Sequence, residues 1–169
     1  MIRSFLKITG EFPKPRGMGR RIWSDIKKNA HAEIAAYWHK HFLRKHFQPS
    51  ARSLYGYRNR SRKYLRRKEF LANHGRAFLA APIQMGGKVD LVFTGAMSRQ
   101  LIANNTIKAY PTRATLIMTG PRYVTMRVWR MNQPDKAAEI TAMREEEITV
   151  LMEVMDKSIQ KGINQSSRG

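Results

Sequence analysis

The sequence predicts an α+β domain in which a small antiparallel β-sheet packs against two long α-helices, with an extended basic N-terminal arm. Apolar residues alternate with polar ones in segments between residues 89 and 129, which is the period of a half-buried strand. Apolar residues recur every three or four positions in 22–47 and 143–163, which is the period of an amphipathic helix. We therefore divide the chain into a basic arm (1–21), a single α+β domain (22–163) and a disordered tail (164–169).

The N-terminal arm is predicted from its composition. Two prolines and three glycines fall within residues 10–19, and because proline lacks an amide donor and glycine adds backbone entropy, we expect a loop that reaches away from the core. Before this loop, the loose alternation of residues 1–8 predicts an edge strand through Phe5 and Ile8.

The first long helix is predicted over residues 22–47, with Ser24 and Asp25 as candidate caps and Pro49 as its stop. Its predicted apolar stripe contains Ile22, Ile26, Ala30, Ile34, Tyr37 and His41, widened by Trp23, Trp38 and Phe42. The opposite side carries Lys27, Lys28, Lys40, Arg44 and Lys45.

Four segments are predicted to be strands: 89–94, 106–110 and 123–129 alternate, and 115–119 is apolar at its centre. The clearest is the last, in which Val124, Met126 and Val128 share one face. Turn residues separate the segments, among them Asn104-Asn105 and Gly120-Pro121. Connections this short cannot make a parallel crossover, so the last three strands are predicted to form an antiparallel meander.

The second long helix is predicted over residues 143–163, after a short strand or lead-in at 137–141. Its predicted stripe contains Ile148, Leu151, Met152, Met155, Ile159 and Ile163. Three glutamates, Glu145 to Glu147, fall in the first turn, where carboxylates interact favourably with the positive end of the helix dipole.

Charge is distributed unevenly along the chain. The 169 residues carry a formal net charge of +20, and residues 1–76 hold 20 Lys/Arg against 4 Asp/Glu. Such asymmetry indicates that a polyanion or an acidic protein surface is the partner, and a merely solubilising surface is the alternative.

Residues 50–74 form the most basic segment, and they interleave tyrosines with arginines and lysines. This pattern suits phosphate contacts combined with stacking on bases. Alternatively, Tyr64, Leu65 and Leu71 pack a short helix onto the core while the charges face water. The candidate contacts to a polyanion or acidic partner are Arg52, Arg58, Arg60, Arg62, Lys63, Arg66, Arg67 and Lys68. The candidate oligomer contacts are Lys14, Arg16, Arg20 and Arg21.

The sequence favours a protein without enzymatic activity, cofactor or metal. It has no cysteine, no P-loop and no dinucleotide-binding glycine pattern, and no apolar run approaches a membrane span. A nuclease-like set of Asp90, Asp135 and Glu139 lacks the lysine often found two residues after the glutamate, where Thr141 stands.

Three histidines at the end of the first predicted helix raise the question of a metal site. His39 and His41 are two residues apart and point to different sides of a helix. His39 and His46 are seven residues apart, which separates them by about 10 Å along the axis. The spacing therefore argues against one shared ion.

The order of these elements resembles the neck and tail-completion proteins of tailed bacteriophages across residues 22–163. The residues that carry the resemblance are Asp90 to Met97, where a strand runs into a Thr-Gly turn, the Tyr55-Gly56-Tyr57-Arg58 segment and Pro121-Arg122-Tyr123-Val124.

The resemblance implies a structural virion protein, assembled in the host cytoplasm, that forms a homo-oligomeric ring. Its partners would be the portal or an adaptor and tail proteins, with possible contact to DNA and none to membrane. The charge of +20 is high for a subunit lining a DNA channel, so the basic half is expected to face acidic neighbours instead. The alternative function is a basic RNA-binding protein such as a ribosomal component.

Overall fold

A three-stranded antiparallel sheet forms the centre of the fold. The computed structural model describes residues 2–57, 62, 63, 66, 70, 96–120 and 136–167. Strands β1 (Ile2–Thr9), β2 (Asn105–Tyr110) and β3 (Arg113–Gly120) pair in the order β1-β3-β2. The α+β prediction is confirmed, and so is the N-terminal edge strand.

Strand β3 is central because both neighbours pair along it. Leu116 on β3 lies opposite Leu6 on β1 and Ile107 on β2, so an apolar row crosses all three strands. Ala114, Leu116 and Met118 alternate along β3 and are fully buried. The period of two therefore places one face of the sheet against the helices.

Helix α1 (Arg20–His41) covers that face, and a 3-10 turn (Leu43–Phe47) and helix α2 (Ala51–Tyr55) follow it. The buried side of α1 includes Trp23, Ile26, Ile34 and Trp38. Helix α3 (Ala96–Ala103) buries Met97 and Leu101 beside β3. The short helix α4 (Lys136–Ile140) buries Ile140.

Helix α5 (Glu145–Ser166) packs antiparallel to α1 through Leu151, Met155 and Ile159. Gly162 near its C-terminal end lies against Ile26 near the start of α1. The three predicted glutamates stand in the first turn of α5, and the Arg144 amide donates to the Glu147 carboxylate at 3.4 Å. No described helix is long and apolar enough to cross a membrane.

Several predicted boundaries differ from the structure. Helix α1 begins at Arg20 after Gly19 without a side-chain cap, so Ser24 and Asp25 lie inside it rather than at its start. It ends at His41, well before Pro49. Residues 137–140 are helical and not a strand, because α4 includes them. Helix α5 continues to Ser166, so residues 164–166 are ordered helix and not tail.

Both helix stripes were predicted too wide. Ile22, Ile148 and Met152 are 48%, 45% and 64% exposed, and His41 is exposed as well. Each of these residues lies at the border of a stripe, beyond the reach of the facing element. The prediction that residues 10–19 reach away from the core is also wrong, because Phe12 and Met18 pack against it.

The first two strands of the predicted meander, 106–110 and 115–119, are confirmed as the β2–β3 hairpin. The other side of β3 pairs along its full length with β1 and not with a strand that follows it in the chain. The predicted strands 89–94 and 123–129 lie outside the described residues.

Candidate basic interface and the aromatic anchor behind it

The first group of exposed cations surrounds the start of α1. Arg16, Arg20 and Arg21 are exposed, and the Lys14 ammonium donates to the Met18 carbonyl at 2.9 Å. This bond closes the turn that contains Gly17, which has a positive φ of 79°. The four residues predicted as oligomer contacts therefore lie close together in the chain on an ordered, solvent-facing loop and first turn.

Only part of the predicted basic side of α1 is free for a partner. Lys28, Lys40 and Arg44 are exposed. In contrast, Lys27 lies 5.7 Å from the centre of the Trp23 ring, and Lys45 lies 4.5 Å from that of Phe42. Cation–π contacts of this kind favour holding the two ammonium groups against the protein.

In the basic segment, Arg62, Lys63 and Arg66 are exposed and have helical backbone. Arg52 in α2 is half-buried and makes an interaction of its own. The remaining predicted contacts lie outside the described residues; these are Arg58, Arg60, Arg67 and Lys68. Tyr64, Leu65 and Leu71 lie outside them too.

A largely buried cluster, which we call the aromatic anchor, holds the N-terminal part of this segment and consists of His46, Tyr55, Tyr57 and Glu147. The His46 ring stacks on Tyr55 with 3.9 Å between ring centres, and its Nδ1 is 2.5 Å from the Tyr57 hydroxyl. The Tyr55 hydroxyl donates to the Glu147 carboxylate at 2.5 Å. The anchor thus joins the 3-10 turn and the end of α2 to the first turn of α5.

The local sequence explains why both tyrosines point inward. Gly56 has a φ of 63°, a left-handed conformation that ends α2 and suits glycine. The Tyr57 amide then donates back to the Arg52 carbonyl at 3.3 Å. This reversal places Tyr57 beside Tyr55, with 5.9 Å between ring centres.

Burial controls the ionisation of the anchor. Desolvation lowers the pKa of His46 to about 4, although the neighbouring Glu139 backbone favours the charged ring. Burial first, and then the bond to Glu147, raises the pKa of Tyr55 well above its ordinary value. His46 is therefore neutral near pH 7, and Tyr55 keeps its proton.

Lys45 adds a charge to the edge of the anchor. Its ammonium lies 3.9 Å from the Glu147 carboxylate, which is 4% exposed. His46 Nε2 is buried without a hydrogen bond of ordinary geometry. The anchor therefore contains one carboxylate with Lys45 close beside it and one neutral imidazole.

This arrangement overturns the predicted stacking role of two tyrosines. Tyr57 is 5% exposed and Tyr55 is half-buried, and both rings already stack inside the protein. Tyr57 is therefore too buried to stack on a base, and Tyr55 already stacks on His46. Sequence reasoning missed the anchor because tyrosines among arginines are typical of both functions, and Gly56 was the one local signal of a chain reversal.

The histidines at the end of α1 have separate structural roles. His39 Nε2–H donates to the Leu101 carbonyl at 3.1 Å, and His41 stacks on Tyr37 with 4.3 Å between ring centres. In the part of the chain that the structure describes, no group of three or more His, Cys, Asp or Glu could hold a metal ion. Of the nuclease-like set, Glu139 lies in α4, whereas Asp90 and Asp135 lie outside the described residues.

Comparison of the chain with protein-family models, with curated proteins and with solved structures gives no match. The resemblance to phage neck proteins therefore rests on its short motifs. Of the Asp90 to Met97 motif, the structure describes the last two residues, and Met97 is buried in α3. Tyr55 and Tyr57 of the second motif belong to the aromatic anchor, whereas Arg58 and residues 121–124 lie outside the described part.

Proposed function

We propose that this protein is a structural virion subunit that forms a ring in the neck of a tailed bacteriophage and joins the capsid portal to the tail. The observation that carries the proposal is that the described tyrosines and the described cations of the basic segment have different positions. Tyr55 and Tyr57 are used inside the fold, while Arg62, Lys63 and Arg66 are exposed. Exposed cations that follow two described tyrosines already stacked inside the fold suit contacts that depend on charge and not on base identity.

The sheet offers a second support for a subunit that contacts copies of itself. In the described residues, β1 and β2 each pair with β3 alone, and each leaves its other edge without a described partner strand. Such edges accept another chain unless they are blunted. Repeated use of one contact closes into a ring when the rotation between subunits fits.

A basic RNA-binding protein, such as a ribosomal component, is the second candidate. The exposed helical cations Arg62, Lys63 and Arg66 favour it, because a row of this kind can follow a phosphate backbone. The two candidates differ in what is bound: the neck subunit sits among proteins, whereas the RNA-binding protein holds RNA tightly as a monomer.

The deciding experiment locates the protein in particles of the phage whose genome encodes it. Gold-labelled antibody is expected at the junction of head and tail in electron micrographs. In parallel, the purified protein is imaged alone and with nucleic acid. Absence of the protein from purified particles, together with tight RNA binding by monomers, would overturn the neck proposal in favour of the alternative.

Charge-dependent binding has its own test with a matched control. Arg62, Lys63 and Arg66 are replaced by serine, and the control replaces Lys108, Lys157 and Lys161, which are also exposed and carry the same total charge. For duplex DNA, the slope of log binding constant against log salt concentration should become shallower by about 0.9 for each phosphate contact that the Arg62, Lys63 and Arg66 variant loses. Equal slopes for the two triple variants would exclude the basic segment as the contact. Failure of the wild-type protein to bind either DNA or RNA at low salt would assign the segment to an acidic protein partner.

A further inference from the structure

One side of α5 presents an exposed stripe that the fold does not use. Glu145, Ile148, Met152 and Asp156 succeed one another at steps of three and four residues, so they share one side of the helix. Ile148 and Met152 are 45% and 64% exposed, and both acidic residues are exposed. With Glu153 beside Met152, these residues form what we call the acidic stripe: an apolar centre flanked by carboxylates.

The acidic stripe is unpaired within the described residues. Glu146 is held by Arg144 at 2.7 Å and Glu147 is buried in the aromatic anchor. In contrast, Glu145, Glu153 and Asp156 form no ion pair with another described residue. A concentration of free carboxylates beside exposed apolar side chains is unexpected on a chain of net charge +20. Exposed apolar groups rimmed by charge are typical of protein contacts.

The complementary surface lies on the same chain, at the start of α1. Arg20 and Arg21 are exposed in its first turn, and the adjacent Ile22 is 48% exposed. This group, which we call the basic end, also combines an apolar side chain with free charges. Its charges are opposite in sign to those of the acidic stripe.

The two surfaces cannot meet within one subunit. Helices α1 and α5 are antiparallel, and Gly162 lies level with Ile26, because a methyl group on Gly162 would be 2.9 Å from the Ile26 Cγ2 atom. Met152 precedes Gly162 by ten residues, and Arg20 precedes Ile26 by six. Because the two helices run in opposite directions, these offsets lead towards opposite ends of the helix pair and therefore add. At 1.5 Å per residue they are separated by about 24 Å along the helix pair.

We propose that the acidic stripe of one copy docks onto the basic end of a second copy, so that subunits associate head to tail. The contact is heterologous, since two different surfaces meet, and such contacts generate rings or filaments. This inference deepens the proposed function and rests on it, because a ring requires a contact that each subunit repeats with the next copy. It adds which surfaces meet and in which orientation.

The test is a charge exchange followed by sedimentation velocity of the full chain at low and high salt. One variant carries Glu153→Arg and Asp156→Arg, and the other carries Arg20→Glu and Arg21→Glu. Each alone brings like charges together, so its self-association should weaken at least about tenfold. An equimolar mixture should recover association, because every contact between the two variants again joins opposite charges.

Two controls separate docking from folding and from net charge. Glu11→Arg with Glu33→Arg makes the same change in net charge as Glu153→Arg with Asp156→Arg, on exposed residues elsewhere, and should associate like the wild type. Met152→Ser removes the most exposed apolar group of the stripe and should weaken association without lowering the melting temperature. Circular dichroism verifies that every variant is helical.

Three results would overturn the docking: a wild-type chain that stays monomeric at all concentrations and salts, charge variants that associate normally, or a mixture that does not recover. These failures are distinguishable from failure of the proposed function. If the protein is found at the particle neck but the charge exchange does not change its assembly, the proposed function stands and this docking contact is excluded.

Discussion

Replacing Gly162 by alanine tests the helix pair on which the core depends. A methyl group on Gly162 would lie 2.9 Å from Ile26 Cγ2 and 3.0 Å from Cγ1. Alanine favours a helix interior by about 1 kcal/mol over glycine, but overpacking a tight core costs about 1–3 kcal/mol. Because Ile26 is buried and β-branched, it cannot turn aside, and we expect a net loss of up to about 2 kcal/mol in the free energy of unfolding.

The same substitution should reverse its sign when the obstacle is removed. In an Ile26→Ala background the two branch carbons are absent, so Gly162→Ala should stabilise by its helix propensity, up to about 1 kcal/mol. Urea unfolding of the wild type, the two single variants and the double variant gives the coupling energy between positions 26 and 162, expected at about 1–3 kcal/mol. Lys161→Ala is the neighbouring control and should stay within about 0.5 kcal/mol. A Gly162→Ala protein more stable than the wild type would refute the close approach of α1 and α5.

Four further substitutions test the core and the aromatic anchor. Leu151→Ala should lower the free energy of unfolding by about 2–5 kcal/mol, because Leu151 is 5% exposed. Met152→Ala should change that free energy little, because Met152 is 64% exposed. Equal melting temperatures for the two variants would contradict the packing of α5. Tyr57→Phe should cost about 1–3 kcal/mol in urea unfolding, because it leaves His46 Nδ1 buried without its partner. His46 has a folded pKa of about 4, below its ordinary 6.5, so the stability it contributes is present above pH 6.5 and is lost as pH falls towards 4, up to about 3 kcal/mol. His46→Phe should reduce that loss, and a variant with an unchanged pH dependence would show that another group titrates.

Local periodicity explains what the sequence could predict. The two long helices and the β2–β3 hairpin depend on neighbours within a few residues, so their apolar spacing is visible in the sequence. The edge position of β1 was predicted, but its register opposite β3 was not, because Leu6 and Leu116 are 110 residues apart. The pairing of such distant segments is a property of the whole fold, which no local pattern encodes.

The candidate site was predicted only in outline for a related reason. A run of cations identifies a basic segment, and Arg62, Lys63 and Arg66 are indeed exposed. Whether a neighbouring tyrosine serves a partner or the core depends on what lies behind it. For Tyr55 that group is Glu147, 92 residues later in the chain. The acidic stripe was hidden in the same way, because Ile148 and Met152 fit a helical stripe whose width the sequence does not specify.

The position of β1 decides how the N-terminal residues can be tested in assembly. Deleting residues 1–19 would be a suitable test of assembly if these residues formed a free arm. The deletion would, however, remove a strand that pairs along the full length of β3, together with the buried Leu6. We expect that deletion to lower the melting temperature, so any loss of assembly would reflect unfolding. Lys14→Ser with Arg16→Ser removes two exposed charges and the exposed hydrogen bond from Lys14 to the Met18 carbonyl, and should change stability by no more than about 0.5 kcal/mol each. A deletion mutant that melts like the wild type would show that β1 contributes nothing to the sheet, contrary to its pairing and to the burial of Leu6.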